Sequence, residues 1–112
     1  MAGMTLEAFE SQVTSTCAVS PIVISVSIVA AGVAWLCLRA HLSAGSFVDA
    51  FYNEATGRTS FALIKDGHRI FGADNTGRWH WHPFEAPDSH APASESVAFD
   101  DFLNRIEEYL KP

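Results

Sequence analysis

The segment between residues 22 and 73 alternates short apolar stretches with turns of two to four residues. Connections this short force neighbouring strands to run antiparallel, because a parallel pair needs a crossover of roughly a dozen residues or more. Asp66-Gly67 is the strongest of the turn signals, since this dipeptide readily supplies the positive backbone angles of a two-residue hairpin. The pattern predicts one twisted sheet within residues 22–82, an antiparallel β-meander of about five strands.

The first apolar stretch, residues 22–38, carries no charged residue and has two interpretations. From residue 22 to residue 29 its β-branched side chains recur with the two-residue period of a strand, and Ala31-Gly32 predicts a turn. A strand returning over residues 33–42 then completes a hairpin. As a helix, the stretch would be slightly shorter than the roughly 20 residues that span a bilayer. We favour the hairpin and keep a membrane anchor as the alternative.

Helical patterns lie on both sides of the predicted sheet. Apolar residues at helical spacing predict an N-terminal helix over residues 1–18, with Thr5 as a candidate N-cap. A stronger stripe predicts a C-terminal helix over residues 96–110 that packs on the sheet. Residues 83–95 contain three prolines and many small polar residues, which indicates a loop. The sequence therefore predicts a single α+β domain covering residues 1–112.

Composition limits the functions that fit this fold. With 112 residues the chain can form one core, and its net charge of -6 argues against nucleic-acid binding over the whole surface. The charge is uneven, however, because lysine and arginine outnumber acidic residues within residues 57–82. Cys17 and Cys37 lack the spacing of a metal site, so we expect free thiols and a cytoplasmic protein.

Side chains that can act in catalysis or bind a metal are most concentrated between residues 72 and 90, where three of the five histidines lie. If residues 79–82 are extended, His80 and His82 project to one face of a strand, and Trp79 and Trp81 project to the other. Imidazoles resist full burial unless they are paired. We therefore interpret this segment as a site rather than as core alone.

An ordered series of motifs runs along the chain: Gly45-Ser46-Phe47-Val48-Asp49, Tyr52-Asn53-Glu54-Ala55-Thr56-Gly57, Ile64-Lys65-Asp66-Gly67-His68-Arg69-Ile70-Phe71-Gly72-Ala73-Asp74-Asn75, and the histidine-rich stretch after them. Over about residues 22–110 this series resembles the TumE-like toxins of toxin-antitoxin pairs. The resemblance implies a ribonuclease toxin whose partner is a cognate antitoxin protein, and a fold similar to toxins of the barnase, EndoU and RelE type. Members of that family often carry adjacent histidines after the Asp-Asn pair, whereas here tryptophans separate them.

The histidines suggest how such a toxin would cleave RNA with neither metal nor cofactor. One neutral histidine would take the proton of the ribose 2′-hydroxyl, and one protonated histidine would supply the leaving oxygen. We expect this chemistry from His80, His82 and His90. The candidate supporting residues are Arg69 and Arg78 for charge on the phosphate, Asp74 for orienting an imidazole, Trp79 and Trp81 for stacking bases, and Lys65 and Arg58 for further RNA contacts.

Other classes of function stay open. His80, His82 and His90 could supply three nitrogen ligands to zinc, with Asp74 or Glu85 adding a carboxylate. An acidic chain could instead be a non-enzymatic interaction or regulatory protein that neutralises a basic partner. The apolar strands and amphipathic helices also leave room for a homodimer.

Overall fold

The computed structural model describes residues 3–111, which form an α+β fold of seven antiparallel strands and two α-helices. The strands lie side by side in chain order, so the sheet is the predicted meander. The elements are α1 Leu6–Ala18, β1 Val23–Ala31, β2 Trp35–Leu42, β3 Phe47–Asn53, β4 Thr59–Lys65, β5 His68–Asp74, β6 His80–His82, β7 Ala91–Pro92 and α2 Phe99–Leu110.

The prediction of about five strands is too low, because the sheet continues through β6 and β7. β6 pairs with β5, and β7 pairs with β6. β7 lies inside residues 83–95, so the prediction of an uninterrupted loop there is wrong for two residues. Strands of two or three residues have a weak sequence signal, because pairing with a neighbour is what orders them.

The predicted N-cap of α1 is confirmed, whereas α2 begins later than predicted. α1 starts at Leu6 because Thr5 is its N-cap: the Thr5 backbone is extended, and its hydroxyl accepts a hydrogen bond from the Ala8 N–H at 3.1 Å. α2 starts at Phe99 rather than at residue 96, and the Asp101 carboxylate accepts from the Ala98 N–H at 3.0 Å. The predicted bounds that fall on residues 1, 2 and 112 lie outside the described residues.

The hairpin between β4 and β5 has the predicted geometry. Lys65 pairs with His68, so the connection is the two residues Asp66 and Gly67. Their φ angles are 53° and 76°, the pair of positive values that defines a type I′ turn. This turn matches the right-handed twist of the flanking strands and fixes the pairing of β4 with β5.

We expect Gly67→Ala to lower the free energy of unfolding by about 1–2 kcal/mol. A methyl group at this position meets no atom within 4 Å, so the cost comes from the positive φ and not from a clash. Urea unfolding followed by circular dichroism measures the loss. Lys65→Ala, on the exposed end of β4, is the control and should change stability by less than about 0.5 kcal/mol. Equal effects of the two substitutions would contradict this account of the turn.

Residues 22–38 form the hairpin rather than a helix. They contain β1, a turn over residues 32–34 and the first part of β2. No helix within residues 3–111 is long and apolar enough to cross a membrane. The alternative of a helical anchor at this point of the chain is therefore wrong.

The core lies between one face of the sheet and the two helices. Burial alternates along β2 and β3, and the buried residues of β2 are Leu36, Leu38, Ala40 and Leu42. Phe61 of β4 contacts Phe9 of α1 and Phe102 of α2, with ring centroids 6.4 and 5.4 Å apart. The opposite face carries the Arg39–Asp49 ion pair and, on β5 and β6, the polar residues of the candidate site.

Both cysteines are free thiols, as predicted. Burial raises the pKa of Cys17 to about 11. Burial, together with the charge of Asp49, also raises the pKa of Cys37. Neither group is a thiolate near neutral pH, so the structure gives no support to a cysteine nucleophile.

Candidate functional site

Pairing of β5 with β6 brings an acid and two histidines to the same face of the sheet. Asp74 lies opposite His80, and Gly72 lies opposite His82. Residues 80 and 82 are two positions apart on a strand, so their side chains point to the same side. The carboxylate of Asp74 lies 2.9 Å from His82 Nε2 through Oδ2 and 3.2 Å from His80 Nε2 through Oδ1. One carboxylate therefore holds both imidazoles.

A third imidazole comes from the segment before β7. His90 immediately precedes Ala91, which pairs with Trp81 of β6. The ring centroid of His90 is 4.8 Å from that of His80 and 4.7 Å from that of His82. His80 and His82 are themselves 5.0 Å apart. The three predicted histidines thus form one group, which we call the histidine cluster.

Hydrogen-bond partners fix the protons on two of these rings. His80 Nδ1 lies 2.8 Å from the carbonyl oxygen of Arg78, and its Nε2 faces Asp74. The carbonyl can only accept, so Nδ1 of His80 carries a proton. His82 Nδ1 lies 3.3 Å from an Arg69 N–H donor, so that nitrogen accepts and Nε2 carries the proton. His80 therefore donates through Nδ1, and His82 donates through Nε2.

Asp74 is the electrostatic centre of the cluster. Its side chain is only 14% exposed, and its Oδ1 also accepts from the backbone N–H of Thr76 at 3.0 Å. Burial acts to raise the pKa of Asp74, but hydrogen bonds from Thr76 and His82 and the charge of His80 outweigh burial and leave the pKa below its ordinary value. The group is therefore a carboxylate throughout the neutral range.

Arg69 is the arginine that reaches the cluster. Its Nη2 contacts His82 Nδ1 at 3.3 Å and donates to the carbonyl oxygen of Pro87 at 3.0 Å. Gly72 makes this approach possible, because a Cβ there would lie 3.1 Å from Arg69 Cδ and 3.4 Å from His82 Cδ2. We did not predict a role for Gly72 or Pro87. A glycine inside a strand is the signal that could have shown the close approach.

The other predicted basic residues contribute less to the cluster. Arg78 supplies its backbone carbonyl, while its side chain is exposed. Arg58 is exposed beside the start of β4, next to the residues that face Asp74. Lys65 is five positions along β4 from Ser60, the partner of Asp74, which is a separation of about 17 Å along the strand. The structure therefore does not bring Lys65 to the cluster.

The two tryptophans lie on the core side of the sheet. Trp79 stacks on Phe61 at 6.2 Å, and Trp81 stacks on Phe71 at 5.5 Å. The guanidinium of Arg105 covers Trp81 at 4.5 Å from the ring centroid. Both indoles are therefore part of the packing between the sheet and α2, opposite the histidines.

Glu85, the alternative carboxylate, lies apart from the cluster. It lines a cavity of about 430 Å³ together with Phe71, Trp81 and Arg105, on the side of the sheet that faces α2. Asp74 is instead the acid in contact with His80 and His82. The structure thus joins Asp74, Arg69 and the three histidines.

Comparison with protein-family models, curated proteins and solved structures finds no match to this chain. By fold and site, this is an α+β protein with a three-histidine cluster on the face of its meander opposite the core. The resemblance to TumE-like toxins stays a prediction.

Proposed function

We propose that this protein is a toxin of a toxin-antitoxin pair that cleaves RNA by metal-independent acid–base catalysis at the histidine cluster. The observation that carries the proposal is the convergence of three imidazoles, two of them in contact with Asp74 and one of these also in contact with Arg69. Histidine is the side chain whose proton transfer is most accessible near neutral pH. The motif series that resembles TumE-like toxins supports the same function.

The accessible rings suggest a division of roles. His90 is exposed, and His80 is partly exposed with its Nε2 3.2 Å from the Asp74 carboxylate. We assign His90 as the general base and His80 as the general acid. His82 is only 4% exposed and both of its nitrogens are engaged, so its role is to hold Asp74 and Arg69 in place.

The proposed reaction is an internal transesterification, in which the ribose 2′-oxygen displaces the 5′-oxygen from phosphorus. His90 takes the proton of the ribose 2′-hydroxyl, and the 2′-oxygen attacks phosphorus. The bond from phosphorus to the 5′-oxygen breaks as His80 gives its Nε2 proton to that oxygen. The products are a 2′,3′-cyclic phosphate and a 5′-hydroxyl, and the two imidazoles have exchanged protonation states. Water returns the protons for the next cycle.

Positively charged residues lie near the cluster and suit the negative charge of an RNA phosphate. Arg69 is exposed beside His82 and can approach a phosphate oxygen, where a guanidinium stabilises the charge of the transition state. Residues 57–82 are locally basic in an otherwise acidic chain. We propose that RNA approaches this region, and that a cognate antitoxin in the cytoplasm restrains the toxin.

RNA cleavage by the purified protein tests the proposal. We expect His80→Ala and His90→Ala each to lower the cleavage rate by about 10²- to 10⁴-fold, the usual contribution of a general acid or base. Cleavage by the unaltered protein should persist with chelator and yield cyclic-phosphate ends. His68→Ala, an exposed histidine on the same strand as Asp74, is the matched control and should cleave normally.

Three results would contradict the proposal. Loss of cleavage with chelator would require a metal-dependent reaction. Full activity in the double variant His80→Ala/His90→Ala would remove the histidines from the chemistry. Absence of cleavage under every condition, with circular dichroism showing folded protein, would favour the non-enzymatic interaction protein.

A further inference from the structure

The histidine cluster has the donor atoms of a transition-metal site as well as those of an acid–base site. His80, His82 and His90 each offer one ring nitrogen, and these nitrogens lie within 4.8 Å of one another. Imidazole is a preferred ligand of zinc, whereas magnesium and calcium prefer oxygen. We propose that the three imidazoles bind one Zn²⁺ ion, with water as the fourth ligand, and that the ion reversibly blocks the cluster.

The surroundings of two of the rings already have the form that metal-binding histidines require. A ligating imidazole usually donates its other N–H to a carboxylate or a backbone carbonyl, which fixes the ring and its tautomer. His80 Nδ1 donates to the Arg78 carbonyl at 2.8 Å, which leaves Nε2, now 3.2 Å from Asp74 Oδ1, for the metal. His82 Nε2 donates to Asp74 at 2.9 Å, which leaves Nδ1.

Binding requires small movements of Asp74, Arg69 and the rings themselves. Asp74 Oδ1, which lies 3.2 Å from His80 Nε2, must make way for the ion. Arg69 must withdraw from His82 Nδ1, and its side chain lies at the surface. Zinc–nitrogen bonds of about 2.0–2.1 Å place tetrahedral ligand atoms about 3.3 Å apart, so the nitrogens must close by up to about 1.5 Å. His90 is exposed ahead of the short strand β7 and can supply most of this movement.

Metal binding and acid–base catalysis need the same atoms. A zinc ion occupies the lone pairs of His80 and His90, which then can neither give nor take a proton. It would also displace Arg69 from its position beside His82. The inhibitory part of this inference therefore rests on the proposed ribonuclease activity, whereas zinc binding itself does not.

The test titrates Zn²⁺ into the full-length, chelator-treated protein in competition with a chromophoric chelator, with no RNA present. We expect one zinc ion per chain, and a dissociation constant raised at least about tenfold by His90→Ala. His68→Ala and His41→Ala, which alter histidines outside the cluster, should bind as the unaltered protein does. Co²⁺ in place of Zn²⁺ should give the intense visible absorption of a tetrahedral site, and Mg²⁺ should not compete.

The outcomes separate the two proposals. Equal zinc affinity in the unaltered protein and His90→Ala, or no binding at all, overturns the site even if RNA is cleaved. Binding that depends on His90 supports the site even if the protein cleaves no RNA. In a cleavage assay, saturating zinc should abolish activity and a chelator should restore it; cleavage that is unchanged by saturating zinc overturns the inhibitory part.

Discussion

Phe102→Ala is expected to lower the free energy of unfolding by about 3–5 kcal/mol, the usual cost of removing a fully buried phenylalanine ring. Phe102 of α2 is 0% exposed. Its ring centroid lies 4.9 Å from that of Phe71 and 5.4 Å from that of Phe61. It also stacks on Trp81 of β6 at 6.3 Å. The truncation would therefore leave a cavity directly beneath the strands that hold the histidine cluster.

Urea unfolding followed by far-ultraviolet circular dichroism measures this loss without relying on Trp81 fluorescence, which the substitution would itself alter. Asn104→Ala is the control, since Asn104 is exposed on the same helix. We expect the control to change stability by less than about 0.5 kcal/mol. A loss below about 1 kcal/mol for Phe102→Ala would mean that α2 does not pack on the sheet as described.

The meander could be predicted because its signals are local. Asp66-Gly67 can form a type I′ turn without help from the rest of the protein, and both residues have the expected positive φ. The alternating burial of side chains along β2 could also be predicted, because an antiparallel strand with one buried face places every second side chain in the core. These two signals fix strand direction and register over much of the sheet.

The end of the sheet could not be predicted in the same way. β7 is two residues long and includes Pro92, a residue that lacks the N–H of a normal ladder partner. β7 is ordered by pairing with β6, and β6 is ordered by pairing with β5. Without β7 there is no reason to place His90 near His80, although the three histidines were grouped correctly from their closeness in sequence.

Some features of the site follow from the local sequence, and others depend on the tertiary structure. That His80 and His82 share a face follows from the period of an extended strand. That Asp74 lies opposite His80 depends on the register of β5 with β6, which the connection over residues 75–79 does not reveal. The contact of Arg69 with His82 also depends on tertiary structure, because the arginine side chain passes Gly72, where a Cβ would lie only 3.1 Å from Arg69 Cδ.

The second prediction with a large effect concerns Asp74→Asn. This substitution keeps the shape of the side chain but replaces one acceptor oxygen with an N–H donor. The amide nitrogen would face an N–H of His82, or those of His80 and Thr76, where the carboxylate now accepts. If His82 responds by moving its proton to Nδ1, that proton faces the Arg69 donor. We expect RNA cleavage to fall by about 10²- to 10⁴-fold while the fold is kept. Unchanged cleavage would show that the carboxylate does not organise the cluster.

The same substitution makes the stability of the protein respond differently to pH. The pKa of Asp74 is lower in the folded protein than its ordinary value, so ionised Asp74 favours the folded state. This contribution is present above the ordinary pKa of about 3.9 and is lost as pH falls through the lower folded value. The difference in unfolding free energy between the unaltered protein and Asp74→Asn should therefore be larger at pH 7 than at acidic pH.

Urea unfolding at both pH values measures this difference, with Asp88→Asn on an exposed loop as the control. A difference that stays constant with pH would mean that the Asp74 carboxylate does not stabilise the folded state through its charge.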